Sequence, residues 1–387
     1  MDPQDFTGSN AGKVIDCKKG YWAFIPNPLP PAINWSLHLI SELTEAERAL
    51  SRMSGLIDSF PFPKILEQPF IRSEAVISSR IEGTHASLID IYAYEAKQLS
   101  FFESTDDVRE VHNYVRAMQY GVERLQSLPL SLRFIRELHA KLMENVRGGK
   151  LTPGEFRRTQ NWIGPAGSTL SNAAYVPPPV EEMHQTLEDL EGFIYTSSEI
   201  PPLIRIGLIH YQFEAIHPFL DGNGRVGRLL ISLLFYEWGL LSKPLLNLST
   251  YIEKHRTDYY NLLLGISQKN RWEEWLCFFL RGIREQAEHG VFHIQQLQAL
   301  RMQYQAIAEH DRNSERMALV LDFLFTRPIF SINQLSNILE IPFKTANDYV
   351  GKLVQLNLLQ ETTGKTRNRI FIAKTILDML QNLESKR

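Results

Sequence analysis

The sequence predicts a mainly α-helical protein with one β-hairpin flap and a C-terminal winged-helix module. Three observations carry this. Ile206, Ile209, Phe213 and Ile216 recur three and four apart and so line one helix face. Leu229 to Phe235 is a nearly continuous apolar run that Gly239 ends, the pattern of a buried helix. The last 74 residues read as helix, helix-turn-helix and two short β-prone pieces.

In chain order, residues 1–35 read as an irregular arm with Pro26, Pro28, Pro30 and Pro31. Residues 36–105 read as helices. Phe70, Ile77 and Ile81 mark one of them, and Gly83 is placed to cap its C-terminus. We take 1–107 as an N-terminal unit and 108–287 as a helical core. Within the core, residues 154–179 hold two β-prone pieces around a Gly/Ser/Asn-rich turn and read as a hairpin. Residues 291–312 are Gln-rich and helix-favouring, so 288–313 is expected to be a connecting helix. In the segment 314–387, Ser314–Phe325 is one helix and Ser331 is the N-cap of a second. Pro342 precedes a third helix over Thr345–Leu356, and Glu361 to Ala373 forms a wing turning at Thr363-Gly364-Lys365.

Composition sets outer bounds. A chain of 387 residues with 44% hydrophobic and 22% charged residues suits a globular protein of two or three domains. The net charge of −3 is too small for wholesale binding to nucleic acid or an anionic membrane. Cys17 and Cys277 are the two cysteines, so no disulfide framework is indicated. The N-terminus is polar and acidic, unlike a signal peptide. The run Leu229–Leu241 is broken by Ser232 and Glu237 and is too short to cross a bilayer. The expectation is a cytoplasmic protein without membrane contact.

Chemistry concentrates in residues 217–228, His-Pro-Phe-Leu-Asp-Gly-Asn-Gly-Arg-Val-Gly-Arg. An imidazole takes a proton near neutral pH. A carboxylate holds a hard cation such as Mg²⁺. Glycines let backbone N–H groups close on a phosphate, and arginines fork onto phosphate oxygens. The flanking helices make this helix, tight loop, helix, with the loop delivering an anion to the second helix's N-terminus. Gly222, Gly224 and Gly227 also spell G-x-G-x-x-G, but a dinucleotide fingerprint needs a preceding strand, and a helix precedes here. His210, Glu214 and His217 can share a helix face, and Glu181-x-x-His184 repeats the Glu-x-x-His spacing. Two further carboxylates for a di-iron site are not evident, so His210 reads as a hydrogen-bonded core histidine. An ordinary interhelical turn leaves the crowding of His, Asp and two Arg unexplained.

His217 to Arg228 resembles the Fic family signature, H-P-F-x-[DE]-G-N-G-R-x-x-R, at every defined position. The resemblance implies a Fic-type helical bundle that transfers part of a nucleotide, most often AMP from ATP, to a protein hydroxyl. It implies that His217 is the general base and that Asp221 holds Mg²⁺. Gly222, Asn223 and Gly224 would form the anion hole, within an ATP site that runs on through Arg225, Val226 and Gly227 to Arg228. Arg225 and Arg228 would contact phosphates, with Arg228 on the γ-phosphate. Ser78-Ser79-Arg80-Ile81-Glu82-Gly83 resembles the family's inhibitory motif, [ST]-x-x-x-E-[GN]. By that resemblance Glu82 pairs with Arg228 and blocks the γ-phosphate seat. A Fic flap holds its target by strand addition, which places a target protein on residues 160–176. Tyr260 and its neighbour Tyr259 resemble nucleotide-contacting tyrosines of the family in their spacing from the core.

The sequence-level reading is therefore an autoinhibited protein adenylyltransferase. It moves AMP from ATP to a Ser, Thr or Tyr hydroxyl and releases pyrophosphate. Self-modification and a dimer are compatible with it. The alternative is a DNA-binding regulator with a nucleotide-sensing Fic-like core, or a Fic enzyme of other chemistry such as AMP removal or a kinase. Residues 311–387 carry 11 Lys and Arg against 8 Asp and Glu, a net of +3. Lys365, Arg367 and Arg369 cluster on the wing, where DNA phosphates or a protein partner could be met. Asp348 in the would-be recognition helix works against DNA.

Overall fold

The computed structural model describes residues 1–18, 20–97, 106–146, 151–165, 167–196, 199–365 and 367–384. The chain opens with a β-hairpin, which corrects the irregular arm expected from its prolines. β1 (Gly12–Asp16) and β2 (Trp22–Pro26) pair antiparallel, with Gly12 opposite Pro26. Ala23, Phe24 and Ile25 are buried, and the Phe24 ring meets Phe6 at 5.6 Å and Tyr175 at 5.9 Å. Gly12 answers to that packing, because a Cβ there would lie 2.5 Å from the Phe24 ring. The prolines only end β2.

Helices follow. α1 (Leu37–Ser59) starts at Ser36, whose hydroxyl accepts from Leu39 N at 3.1 Å. α2 (Pro63–Ile81) opens on proline and stops where Gly83 turns to φ +95°. There the N–H of Gly83 reaches Arg80 O at 3.0 Å, and the N–H of Thr84 reaches Ser79 O at 3.2 Å. α3 (Leu88–Lys97), α4 (Asp106–Arg124), α5 (Leu132–Leu142) and α6 (Val180–Tyr195) come next. α7 (Pro202–Ile216) and α8 (Asn223–Glu237) flank the signature loop, as their apolar spacing predicts. α9 (Leu248–Lys254), α10 (Arg256–Lys269) and α11 (Trp272–Glu309) complete the bundle.

α8 is the axis. Leu229, Leu230, Ile231, Leu233, Leu234 and Phe235 are all buried, and α2, α4, α5 and α7 pack around it. A helix covered on every side has no polar stripe, which is why Leu229–Phe235 is nearly continuous in apolar residues. α11 has 38 residues, about 57 Å of helix at 1.5 Å per residue. It runs unbroken across residues 287 and 288, so the expected connecting helix is its second half. α1 lies along it.

The C-terminal segment contains α12 (Ser314–Thr326), β3 (Ile329–Ser331), α13 (Ile332–Ile338), α14 (Phe343–Gln355), β4 (Gln360–Glu361), β5 (Ile370–Ile372) and α15 (Lys374–Gln381). The sheet order is β3-β5-β4, antiparallel throughout. Ser331 caps α13 through a capping box with Gln334. This segment packs on the N-terminal helices, α12 against α2 and β3 against α3.

The stretch 154–179 forms one bridge rather than two strands. Ile163 N donates to Tyr175 O at 2.9 Å and Tyr175 N to Ile163 O at 3.0 Å, and no ladder extends beyond this pair among the described residues. Side chains fasten the rest. Gln160 donates to Pro177 O at 2.9 Å, and the buried Arg157 donates to Pro178 O. Prolines 177–179 have no N–H to give a ladder. No helix among the described residues is long and apolar enough to cross a membrane.

Candidate active site

α7 ends at Ile216, and His217 follows in the left-handed region at φ 49°. Its N–H still reaches Phe213 O at 3.0 Å, and Pro218 prevents another turn. The imidazole Nδ1 lies 3.3 Å from Glu214 O. A carbonyl can only accept, so Nδ1 carries the proton and Nε2 keeps its lone pair. Burial, then the nearby Arg157 guanidinium, pull the His217 pKa down to about 4. The imidazole is therefore neutral at pH 7, the state a general base needs.

Two residues from the 154–179 stretch hold the turn. Arg157 Nε donates to His217 O at 3.0 Å. Asn161 Nδ2 donates to His217 O at 3.1 Å and to Phe219 O at 2.8 Å. Beneath them the Phe219 ring stacks on His139 at 3.8 Å. Gly154 N donates to His139 Nδ1 at 2.8 Å, so Nε2–H is free to donate to Asp221 O at 3.1 Å. Burial, the largest effect, lowers the His139 pKa to about 4. Sequence reading missed His139 and the positioning roles of Arg157 and Asn161. Arg157 and Asn161 lie in a stretch whose composition signals only a hairpin, and nothing in a lone histidine on α5 marks His139.

The signature residues divide by what their side chains touch. Gly222 begins α8 at φ +79°, a conformation that favours glycine. The Asn223 side chain braces the loop, accepting from Phe219 N and donating to Phe219 O, both at 2.8 Å. Its contribution to an anion would come from its backbone N–H, one of the first in α8 and without a partner inside the helix. Asp221, with its side chain 42% exposed, accepts from Gly222 N at 2.6 Å and sits 3.7 Å from Arg225. The Arg225 side chain is buried, with NH1 3.2 Å from Glu110. Val226 and Gly227 lie inside the helix. A Cβ on Gly227 would fall 2.3 Å from Glu214 Oε1, so Gly227 faces that carboxyl rather than the loop. Glu214 Oε1 has no hydrogen-bond partner, and burial pushes this carboxyl up to about 7.

Arg228 is the buried hub. Its Nε donates to Ser78 Oγ at 2.9 Å, and its NH2 donates to Ser78 O at 2.8 Å and to Glu82 Oε1 at 2.7 Å. Burial is the largest effect and works against the Glu82 carboxylate, but the charge and hydrogen bond of Arg228, with Arg225 and His217, together outweigh it and hold Glu82 below its ordinary pKa. A Cβ on Gly224 would lie 2.3 Å from Glu82 Oε1 and 3.0 Å from an Arg228 nitrogen. The carboxylate thus rests on the glycine-lined start of α8. Helix N-termini attract anions, so Glu82 occupies a seat suited to a phosphate.

Of the remaining candidates, Tyr260 is 41% exposed with Arg256 5.8 Å from its ring centre. Tyr259 is buried instead, 2.8 Å from His210 Nε2. His210 is the hydrogen-bonded core histidine expected, its pKa lowered to about 3 chiefly by burial. Glu181 and His184 are exposed on α6. Among the described residues no group of three or more His, Cys, Asp or Glu side chains is placed to hold a metal by itself. The donor set instead suits a magnesium ion shared with phosphate oxygens: one accessible carboxylate, Asp221, at the edge of an anion seat.

Helical bundle, anion seat at the start of a central helix and neutral histidine in the preceding turn together place an anion-binding geometry beside a base. Residues 40–123 match the description Fic/DOC family N-terminal, and residues 129–235 match Fic/DOC family. The chain belongs to the Fic/DOC family. It is 30% identical over 164 residues to "Protein adenylyltransferase Fic" of Drosophila grimshawi, covering 42% of this chain and 30% of that protein. The Drosophila willistoni protein of the same name matches equally, at 30% over 164 residues. The chain thus spans under a third of these relatives' length. Among solved structures, a Fic family protein from Desulfovibrio desulfuricans G20 shares the fold at TM-score 0.57 and 19% identity, over 89% of this chain and 98% of that one. Fic-1 of C. elegans aligns at TM-score 0.50 and 21% identity, over 68% of this chain and 74% of that one.

Proposed function

We propose that this chain is an autoinhibited protein adenylyltransferase that moves AMP from ATP to a Ser, Thr or Tyr hydroxyl. One observation carries the reading: Glu82 pairs with Arg228 at 2.7 Å over Gly224, in an anion seat beside a neutral His217. With Glu82 displaced, ATP phosphates would take that seat, with Arg228 free for the γ-phosphate. His217 Nε2 would accept the hydroxyl proton as the oxygen attacks the α-phosphorus. The new O–P bond forms as the bond to the β-phosphate oxygen breaks, and pyrophosphate leaves. The first N–H groups of α8 and Arg225 face the charge that grows on the phosphates. Magnesium, held by Asp221 with phosphate oxygens, would offset that charge. Tyr260 would border the nucleoside.

A target segment would lie against 160–176, where Trp162 and Ile163 are 41% and 37% exposed. A main-chain pairing mode asks little of target sequence. Two cysteines without a disulfide suit a reducing compartment, in line with a cytoplasmic enzyme. We read the C-terminal segment as a winged helix. Lys365 and Arg367 are exposed on its wing, whereas Arg369 donates to Asn347 at 2.7 Å. The test of the reaction is incubation with α-labelled or γ-labelled ATP and mass spectrometry of the labelled protein. Label from the α position with a mass gain of one AMP is expected. Label from the γ position alone would mean a kinase and would overturn the reading.

A further inference from the structure

A cavity of about 400 Å³ lies at the seam where the C-terminal segment meets α2, α3 and α4. Gln68, Arg72, Glu95, Gln119, Arg327 and Asn337 supply its polar wall. Glu95 is shared by two guanidiniums. It accepts from Arg72 Nε at 3.0 Å and NH2 at 2.9 Å, and from Arg327 NH1 at 3.1 Å. Arg72 is buried and fully engaged, since its NH1 donates to Gln68 O at 2.9 Å and Oε1 at 2.7 Å. Arg327 spends only NH1. Among the described residues its Nε and NH2 make no hydrogen bond, and its side chain is 30% exposed.

The charges do not balance. Two guanidiniums face one carboxylate, and no second acid lines the cavity among the described residues. Burial holds His112 in the same wall below its ordinary pKa; Glu95 opposes this, and Arg116, Arg72 and Arg327 add smaller effects in the same direction as burial. Burial also lowers the pKa of Arg327. An unbalanced positive charge in a half-enclosed space favours an anion, and an open guanidinium fork matches two oxygens of a carboxylate or phosphate. Side-chain amides can complete the shell.

We propose that this seam is a binding site for a small anion, a carboxylate or phosphate group held by the free edge of Arg327 with Gln119 and Asn337. Such a ligand would join the C-terminal segment to α2, the helix that ends at Glu82. Gln334 already ties the C-terminal segment to α3, donating to Glu95 O at 2.6 Å.

The test is isothermal titration calorimetry of the full chain, without nucleotide, against inorganic phosphate and separately against succinate at constant ionic strength. Phosphate can also enter the loop at 222–224, so an Arg228→Ala variant is titrated in parallel. Binding of either anion is expected. Arg327→Gln should weaken it at least tenfold, and Arg228→Ala should retain it. Gln119→Trp fills the cavity without touching the ion pair and should weaken binding similarly. Phosphate alone binding assigns a phosphate ligand, and succinate alone a carboxylate. Absence of binding, or binding that survives Arg327→Gln and Gln119→Trp, would overturn the proposal.

Discussion

His217 owes its chemistry to where the chain turns. It stands one residue past α7 in a left-handed conformation, with its carbonyl fixed by Arg157 and Asn161. The ring is thereby oriented, and burial keeps it neutral. His217→Ala should abolish AMP transfer while nucleotide binding, measured by calorimetry, persists. In the parent, protonation of the base should not cut the rate until pH falls towards about 4. A rate that halves near the ordinary histidine pKa of about 6.5 would contradict this. His139 offers a stability test of the same kind. Its folded pKa of about 4 lies below its unfolded value, so the unfolded chain binds the extra proton as pH drops. Its contribution to stability is therefore present at pH 7 and lost on acidification between those values. Glu74 and Glu214, both pushed up to about 7 by burial, pull the opposite way. The comparison must be with His139→Gln, whose urea midpoint should fall less than the parent's between pH 7 and pH 5.

Among elements, the 154–179 stretch shows how much of the site could be read and how much could not. The signature loop is legible because its chemistry is contiguous and its flanking helices declare themselves by apolar period. Glu82 is legible because a motif and a glycine cap coincide. The braces are not. Arg157, Asn161 and His139 act through backbone carbonyls of a distant turn, and no spacing in the chain encodes such a contact. The N-terminal hairpin was hidden for another reason, since β2 is buried on both faces and shows no alternation beside its prolines; Phe24 N donates to Val176 O at 2.9 Å. The stretch itself shrank to a single bridge because side chains do the work of a ladder. Removing one should therefore be costly. Arg157→Met leaves the carbonyls of His217 and Pro178 without that donor, a loss of roughly 2 kcal/mol. Thermal denaturation should show a lower midpoint and initial rates a lower kcat. An unchanged midpoint would show that Arg157 is not the brace.

At the scale of the whole molecule, α2 is pressed between two bodies. α8 takes its C-terminal end through Arg228, and the C-terminal segment takes its side through α12 and the Arg72–Glu95–Arg327 cluster. The residues proposed for the chemistry nevertheless lie outside the C-terminal segment. Removal of residues 314–387 should leave AMP transfer detectable, and retention of the full chain on DNA, if the wing binds it, should fall steeply with salt. No retention at low salt would favour a protein partner for that segment. We propose that Glu82 and the γ-phosphate compete for Arg228. Both are anions suited to one guanidinium fork, and a tethered carboxylate competes at high effective concentration. If the pair contributes ~1.4 kcal/mol, its loss raises a small competent fraction about tenfold. The direct measurement is the initial rate of AMP transfer at saturating Mg-ATP for the parent, Glu82→Gly and Glu82→Gly/Arg228→Ala, each checked for fold by circular dichroism. Competition for Arg228 predicts a rise of about tenfold in the single variant and none in the double. A single variant no faster than the parent would contradict it.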